Sequence, residues 1–343
     1  MNGVRLAAPR ASTCRLSESG VASSRPSLAE TNAQMALTDV AGIFSRFFIV
    51  GFFLPSFFAL VALAQLLADE WVPNGFEKYS GPTEILILGG LALLVGLFLL
   101  GLHRPILRLY EGYPLLRSRL GLARPFLRLQ NRVYRQLARL KSLAGPNADP
   151  DVNSRGIAAW LMLDRYFPDE QSRLLPTRFG NALRAWEDYS YNRWGLDAIP
   201  FWARVEPLLS EQERQLHENA QTDVAFFVNS SLASIVVGLV LAADAIANAH
   251  IDWAWAWLYL VPFVVAYVIY RFAIDAGQRW GVEIKASLDL HRLEVYDRLG
   301  IRRPLGFADE RETIAPALNR FLLYAKPLPD DLWAAEPVEE GVE

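Results

Sequence analysis

The feature that most constrains this 343-residue chain is a set of apolar runs longer than a soluble core requires. Residues 47–68 contain no charged side chain, and residues 85–102 form a second uncharged run. At about 1.5 Å per residue, a helix of roughly 20 residues crosses the hydrocarbon layer of a bilayer. A third run at 224–243 and a fourth that ends at Tyr270 predict an all-α, four-span transmembrane protein, two spans plus two.

Arginine predicts the orientation of these spans. The stretch from His103 to Lys141 contains nine arginines and one lysine but only one acid, Glu111. Lysine and arginine next to a span are retained on the cytoplasmic side. The turn at 244–252 contains neither residue, as expected of an outer loop. We therefore expect a protein of the cytoplasmic (inner) membrane with both termini in the cytoplasm.

The predicted organisation follows from these two patterns. Ser210 and Glu213 form a capping box that begins a long helix, which is expected to continue into the third span. A turn-rich linker is expected at 146–154, and Ile284, Leu288 and Val295 predict an amphipathic stalk extending inward. The domains are a disordered tail (1–43), a transmembrane hairpin (44–102), a cytoplasmic helical insert (103–222), a second hairpin (223–273), a cytoplasmic helical region (274–325) and an acidic disordered tail (326–343). Met35 leaves open whether residues 1–34 are translated.

One helix within the arginine-rich stretch is amphipathic. Its apolar stripe consists of Phe126, Leu129, Val133, Leu137 and Leu140, and its basic face consists of Arg124, Arg128, Arg132, Arg135 and Arg139. A basic amphipathic helix beside a membrane can lie on anionic lipid or contact a protein partner. Alternatively, the stripe packs inside a cytoplasmic bundle and the arginines are only solvated. Nucleic acid is not expected as a partner, because no nucleic-acid fold signature accompanies the charge.

A second charged region alternates basic, acidic and aromatic residues. Arg184 and Asp188 are four residues apart, so one helical ion pair is expected between them. The region is interpreted either as a cytoplasmic ligand or partner site, or as a salt-bridged corner that locks the domain against the membrane helices. The candidate residues of this region are Arg178, Asn181, Arg184, Glu187, Asp188, Arg193 and Asp197.

The same passage resembles a family signature. The chain reads T-R-F-G-N-A-L-R-A-W-E-D-Y at 177–189 and R-W-G-L-D at 193–197. This is similar to T-R-x-G-N-x-L-R-A-x-E-x-Y followed by R-[YW]-G-x-D, which is found in an uncharacterised family of bacterial multi-span membrane proteins. The resemblance implies paired spans around a cytoplasmic insert and supplies no chemistry.

The third apolar run carries a face of small and polar residues: Asn229, Ser230, Ser234 and Gly238. Such residues allow close packing and hydrogen bonding between helices in lipid. The alternative is that they line an aqueous path.

Catalytic and metal motifs are missing from the sequence. It has no phosphate-binding glycine loop, H-E-x-x-H, G-x-S-x-G or kinase signature. The single cysteine, Cys14, and four scattered histidines supply no metal set. We therefore expect no catalytic residue, cofactor or metal, and a scaffold, sensor or regulatory role that involves membrane lipids, a homo-oligomer or a cytoplasmic protein partner. An oligomeric channel is the alternative, and a membrane-embedded enzyme is the third hypothesis.

Overall fold

The computed structural model describes residues 45–66, 81–247 and 259–334. The predicted N-terminal tail, the first outer loop, most of the second outer loop and the last residues of the acidic tail lie outside this part. Within it, the all-α prediction is confirmed, since helices and short 3-10 turns form the fold and no strand occurs. The helices are α1 (Arg46–Phe48, π-helical Ile49–Phe53 and Leu54–Leu66), α2 (Pro82–Gly101), α3 (His103–Glu111), α4 (Tyr113–Arg117), α5 (Ala123–Ser142), α6 (Pro150–Tyr166), α7 (Arg178–Trp194), α8 (Ala198–Val205), α9 (Glu211–Ala247), α10 (Val261–Arg298) and α11 (Phe307–Asp309, π-helical Glu310–Ile314 and Ala315–Tyr324).

Three described helices are long and apolar enough to cross a membrane: Arg46–Gln65, Pro82–Gly101 and Glu211–Ala247. These correspond to the first three predicted spans. The fourth predicted span falls partly on residues outside the described ranges, and α10 begins only at Val261. The assignment of α10 as a fourth span therefore stays a prediction.

The π-helical segment of α1 is explained by Pro55. Proline has no N–H, and its ring displaces the carbonyl four residues earlier, which here belongs to Gly51. The Asn229 side chain of α9 donates to this carbonyl with an Nδ2–O distance of 2.7 Å. Gly51 also allows α9 to approach, because an added Cβ would lie 3.0 Å from the Ala225 Cβ. The Gly51 carbonyl and the Asn229 side chain thus form one contact between α1 and α9.

Beyond the apolar segments the chain forms the polar domain, which consists of α3 to α8, the polar halves of α9 and α10, and α11. A single hydrophobic core joins these elements, and Phe179, Phe201 and Tyr296 are fully buried in it. The capping box is confirmed, since the Ser210 N–H donates to Glu213 at 2.8 Å and the Glu213 N–H donates to the Ser210 hydroxyl at 3.3 Å. From there α9 is unbroken to Ala247, as expected.

Three local predictions differ from the structure. The expected linker contains the start of α6, because Asp149 caps the helix and Pro150 suits its first turn. The expected stalk does not extend freely, since Ile284, Leu288 and Val295 are each 1% exposed in the core.

The third difference concerns the start of the predicted acidic tail, which is packed. Leu332 is 1% exposed, and its carbonyl accepts from the Arg302 N–H at 2.9 Å. Apolar side chains at Leu328 and Leu332 outweigh the acids beside them in deciding whether this segment folds.

Candidate functional site

The basic face of α5 is free of internal partners of opposite charge. All five of its arginines are exposed, and among the described residues none forms a salt bridge. With its side-chain amide turned so that the oxygen faces Arg135, Gln171 accepts from the Arg135 Nε–H at 3.1 Å. A groove of about 480 Å³ runs along this side of the helix, lined by Arg128, Asn131, Arg132, Arg135, Gln136 and Arg139.

The apolar stripe of the same helix is only partly packed. Phe126 is 48% exposed, Leu129 55% and Leu140 40%, whereas Val133 and Leu137 are half-buried. At about 100° per residue, the arginines occupy an arc of roughly 80°, and the exposed apolar residues occupy an arc of about 60° that begins roughly 60° further round the helix. The outward side of α5 therefore combines cations and apolar side chains.

The opposite side of α5 holds this helix against the rest of the polar domain. The Tyr134 hydroxyl donates to the Asp169 carbonyl at 2.7 Å, and the buried Gln130 side chain accepts from Asn181 at 3.4 Å. These contacts, together with packing on α6, hold the basic face in one orientation.

The seven candidate residues between Arg178 and Asp197, six of which lie on α7, are called the α7 cluster. They behave differently from the basic face, beginning with Asn181. This residue is fully buried, and its side chain accepts from the Leu175 N–H at 2.7 Å and donates to the Leu175 carbonyl at 3.0 Å. Thr177 caps α7 through the Gly180 N–H at 3.0 Å. A side chain at Gly180 would overlap the Glu111 carbonyl, so α7 begins in close contact with the end of α3.

The predicted ion pair between Arg184 and Asp188 is wrong. Arg184 lies 3.1 Å from Glu187 and donates to the Tyr113 hydroxyl at 2.6 Å. Asp188, which is 2% exposed, pairs instead with Arg173 at 2.7 Å. Arg173 precedes α7 in the chain and reaches Asp188 from outside the helix, a position that helical spacing cannot predict.

Burial is the main influence on the pKa values of the acids in the α7 cluster. It raises the pKa of Glu187 to about 7, against the lowering effect of Arg184, and the nearby Glu111 raises it further. Burial likewise raises the pKa of Asp188, while Arg173 lowers it. The cluster therefore contains a carboxyl group that titrates near neutral pH within a structural network.

The remaining members of the α7 cluster are scattered. Arg193 is exposed and lies over the Tyr189 and Trp194 rings, with its Cζ 5.7 Å and 5.3 Å from the two ring centroids. Asp197 caps α8 through the Ile199 N–H at 3.2 Å. Arg178 is exposed at the start of α7 and lines a separate recess. The seven residues do not converge on one binding site.

A polar network that no sequence pattern predicted joins α7, α10 and α11. Asp289 accepts from the Tyr189 hydroxyl and from the Trp194 indole N–H, both at 2.6 Å. The Arg292 guanidinium lies 3.7 Å from the Trp194 ring centroid and 3.1 Å from Glu310. Glu310 is 2% exposed. No local pattern pairs residues about a hundred positions apart, so only the fold could reveal them.

The polar and small residues of α9 fall into two groups. Asn229 and Gly238 face neighbouring helices, since a Cβ at Gly238 would lie 2.9 Å from the Phe263 ring. Ser230 and Ser234 line a cavity of about 430 Å³ between α1, α9 and α10, whose other walls are apolar. The Ser234 hydroxyl donates to the Ser230 carbonyl at 2.9 Å, so it is satisfied within its own helix.

Among the described residues, no group of three or more histidine, cysteine, aspartate or glutamate side chains could hold a metal ion. Comparisons with protein-family models, curated proteins and solved structures give no match. The family resemblance at 177–197 therefore stays a prediction.

Proposed function

We propose that this protein is a non-enzymatic scaffold of the cytoplasmic membrane, with four spans, both termini inside and a polar domain that rests on anionic lipid. The polar domain presents its remaining surface to cytoplasmic partners or to further copies of the chain. The three apolar helices and the unpaired arginines that follow α2 support this orientation.

One observation carries the lipid contact: α5 exposes both an arginine face and, about 60° further round the helix, the apolar residues Phe126, Leu129 and Leu140. A helix that packed only within a bundle would bury Phe126, Leu129 and Leu140. A helix at a membrane surface inserts such residues between lipid headgroups, while its arginines contact phosphates. Each cation contributes about 1 kcal/mol with anionic lipid. The four arginines that line the groove, Arg128, Arg132, Arg135 and Arg139, therefore contribute about 4 kcal/mol together.

The lipid contact can be tested in proteoliposomes with the full chain. Cys14→Ser with Leu129→Cys carries one environment-sensitive fluorophore on the exposed side of α5. We expect a blue-shifted emission in vesicles that contain phosphatidylglycerol and a smaller shift in pure phosphatidylcholine. High salt should reduce the difference, because screening weakens attraction between exposed charges.

Matched variants separate charge from fold. Replacing Arg128, Arg132, Arg135 and Arg139 by glutamine should abolish the lipid-dependent shift, whereas replacing all four by lysine should largely preserve it. A label at Leu305, which is 90% exposed beyond the end of α10, should not respond to lipid. An unchanged shift in the glutamine variant would contradict the proposal.

An oligomeric channel is the second candidate, favoured by the Ser230 and Ser234 hydroxyls in the cavity beside α9. A scaffold predicts no ion flux in liposomes that contain the purified chain. Conductance that Ser230→Leu and Ser234→Leu abolish would favour the channel instead.

A further inference from the structure

A small recess lies between α6, α7 and α10, on a different part of the polar domain from the basic face. Its volume is about 180 Å³, on the order of six water molecules. It is lined by Met162, Tyr166, Arg178, Arg271, Ile274 and Asp275. Three of these side chains are charged, which is a high share for so small a space.

The two arginines of the recess are available to a ligand. Arg178 and Arg271 are both exposed, and among the described residues neither forms a salt bridge. They come from different helices and meet only in the fold. Two guanidinium groups facing one recess match the oxygens of a phosphate, which accepts several hydrogen bonds at once.

The position of Arg271 indicates where that phosphate comes from. Arg271 follows directly on the uncharged stretch 261–270 of α10. Tyr267 and Phe272 beside it are 60% and 53% exposed. Aromatic residues next to a cationic residue at the end of an apolar helix are typical of the lipid headgroup level.

The recess also contains a carboxylate, which restricts the ligand further. Asp275 accepts from the Tyr166 hydroxyl through Oδ1 at 3.0 Å. Burial and this hydrogen bond to Asp275 raise the pKa of Tyr166, so the phenol remains a donor at neutral pH. Oδ2 of Asp275 is then the acceptor left for a ligand. A purely anionic headgroup would meet this negative charge, whereas a primary ammonium group would donate to it.

We propose that the recess binds the headgroup of an aminophospholipid, with the phosphate on Arg178 and Arg271 and the primary ammonium on Asp275. This inference rests on the proposed topology, which brings Arg271 to the inner leaflet. A choline headgroup satisfies the arginines but has no N–H for Asp275, and a glycerol headgroup leaves Asp275 without a cation.

Native mass spectrometry of the purified full chain tests the preference, with dioleoyl phosphatidylethanolamine, phosphatidylglycerol and phosphatidylcholine added singly. We expect phosphatidylethanolamine to bind with the highest occupancy. Arg178→Gln and Arg271→Gln should each weaken binding of all three lipids about tenfold, or 1.4 kcal/mol. Asp275→Asn should weaken phosphatidylethanolamine and strengthen phosphatidylglycerol, which reverses the order.

Arg279→Gln is the matched control, because Arg279 is an exposed arginine of the same helix that lies 3.7 Å from Asp223. It should leave lipid occupancy unchanged. Equal occupancy of the three lipids, or an order that Asp275→Asn does not alter, would overturn the assignment. If soluble glycerophosphoethanolamine competes at the same concentration as the lipid, the recess binds a soluble phosphate ester, and the assignment to a membrane lipid is wrong.

A labelling experiment separates this inference from the proposed topology. In sealed right-side-out vesicles, a membrane-impermeant thiol reagent should not reach Arg279→Cys in the Cys14→Ser background. Labelling from outside would overturn the topology and the headgroup site together. Protection from outside with no phosphatidylethanolamine preference would overturn the headgroup site alone.

Discussion

The basic face of α5 and the buried side of α7 both use arginine, but they use it differently. Arg184 of the α7 cluster is held by Glu187 and Tyr113, and Arg173 is held by the buried Asp188. On α5, by contrast, no arginine has an acidic partner among the described residues. The same side chain thus forms part of the interior in one region and remains exposed to solvent in the other.

The local composition explains the difference. The sequence of α5 contains no aspartate or glutamate, so its guanidinium groups remain in solvent, where they keep their hydration. The α7 helix alternates acids, bases and aromatic rings, and one side of it is buried in the core, where an unpaired charge would be costly. Acids within or beside a helix therefore indicate more about an arginine's role than arginine density does.

The largest effect that would sharpen this comparison is expected for Asn181→Ala. The substitution leaves the buried N–H and carbonyl of Leu175 without their partners, at a cost of about 4 kcal/mol in unfolding free energy. Thermal unfolding in detergent would measure it. Asn192→Ala, which removes a half-buried side chain bonded to Asp169, is the control and should cost much less. Equal losses would break the distinction between interior and surface.

Glu187→Gln tests the same region through pH. The folded pKa of about 7 lies above the ordinary value of 4.5, so the folded state binds more protons than the unfolded state between these values. Stability should therefore fall as pH rises from about 4.5 to about 7, by on the order of 3 kcal/mol. The glutamine variant should lose this dependence. A variant with the same pH profile as the parent would contradict the assignment.

A smaller effect is expected for His291→Gln, which removes a contact between α9 and α10. Nε2 of His291 lies 3.1 Å from Glu213, and Nδ1 lies 3.4 Å from Glu294. Burial lowers the pKa of His291, but the hydrogen bonds and charges of the two glutamates outweigh it and raise the pKa above 6.5.

The sign of the His291 effect follows from this shift. The protonated imidazolium stabilises the fold fully below pH 6.5, and its contribution is lost as pH rises through the raised pKa. The substitution should cost up to about 1 kcal/mol at pH 6 and almost nothing at pH 9. Hydrogen exchange at the start of α9 would report it, and a loss independent of pH would contradict the role.

The smallest effect on stability is expected for the basic face. Replacing Arg128, Arg132, Arg135 and Arg139 singly by glutamine should change the unfolding free energy by at most about 0.5 kcal/mol. The sign should favour stabilisation, because neighbouring like charges three or four residues apart repel. Thermal unfolding in detergent without anionic lipid is the measurement. Losses comparable to that of Asn181→Ala would show that α5 is part of the interior.

Sequence patterns predicted the features that depend on residues close together in the chain. The capping box at Ser210, the unbroken α9 and the helical period of α5 follow from residues within a few turns of one another. The partner of Asp188 and the Asp289 network depend on how distant helices pack. The Gly51 contact lies between these two cases. Pro55 predicts that the Gly51 carbonyl is displaced from its helix, but it does not predict that Asn229 donates to this carbonyl.

The continuity of α10 has a mechanical consequence. Its 38 residues make a rod of about 57 Å whose apolar end begins at Val261 and whose other end lies in the polar domain. A change in tilt of about 5° moves one end by roughly 5 Å relative to the other. On the proposed topology, a change in bilayer thickness that tilts α10 at Val261 would therefore also shift the packing around Tyr296 near its other end.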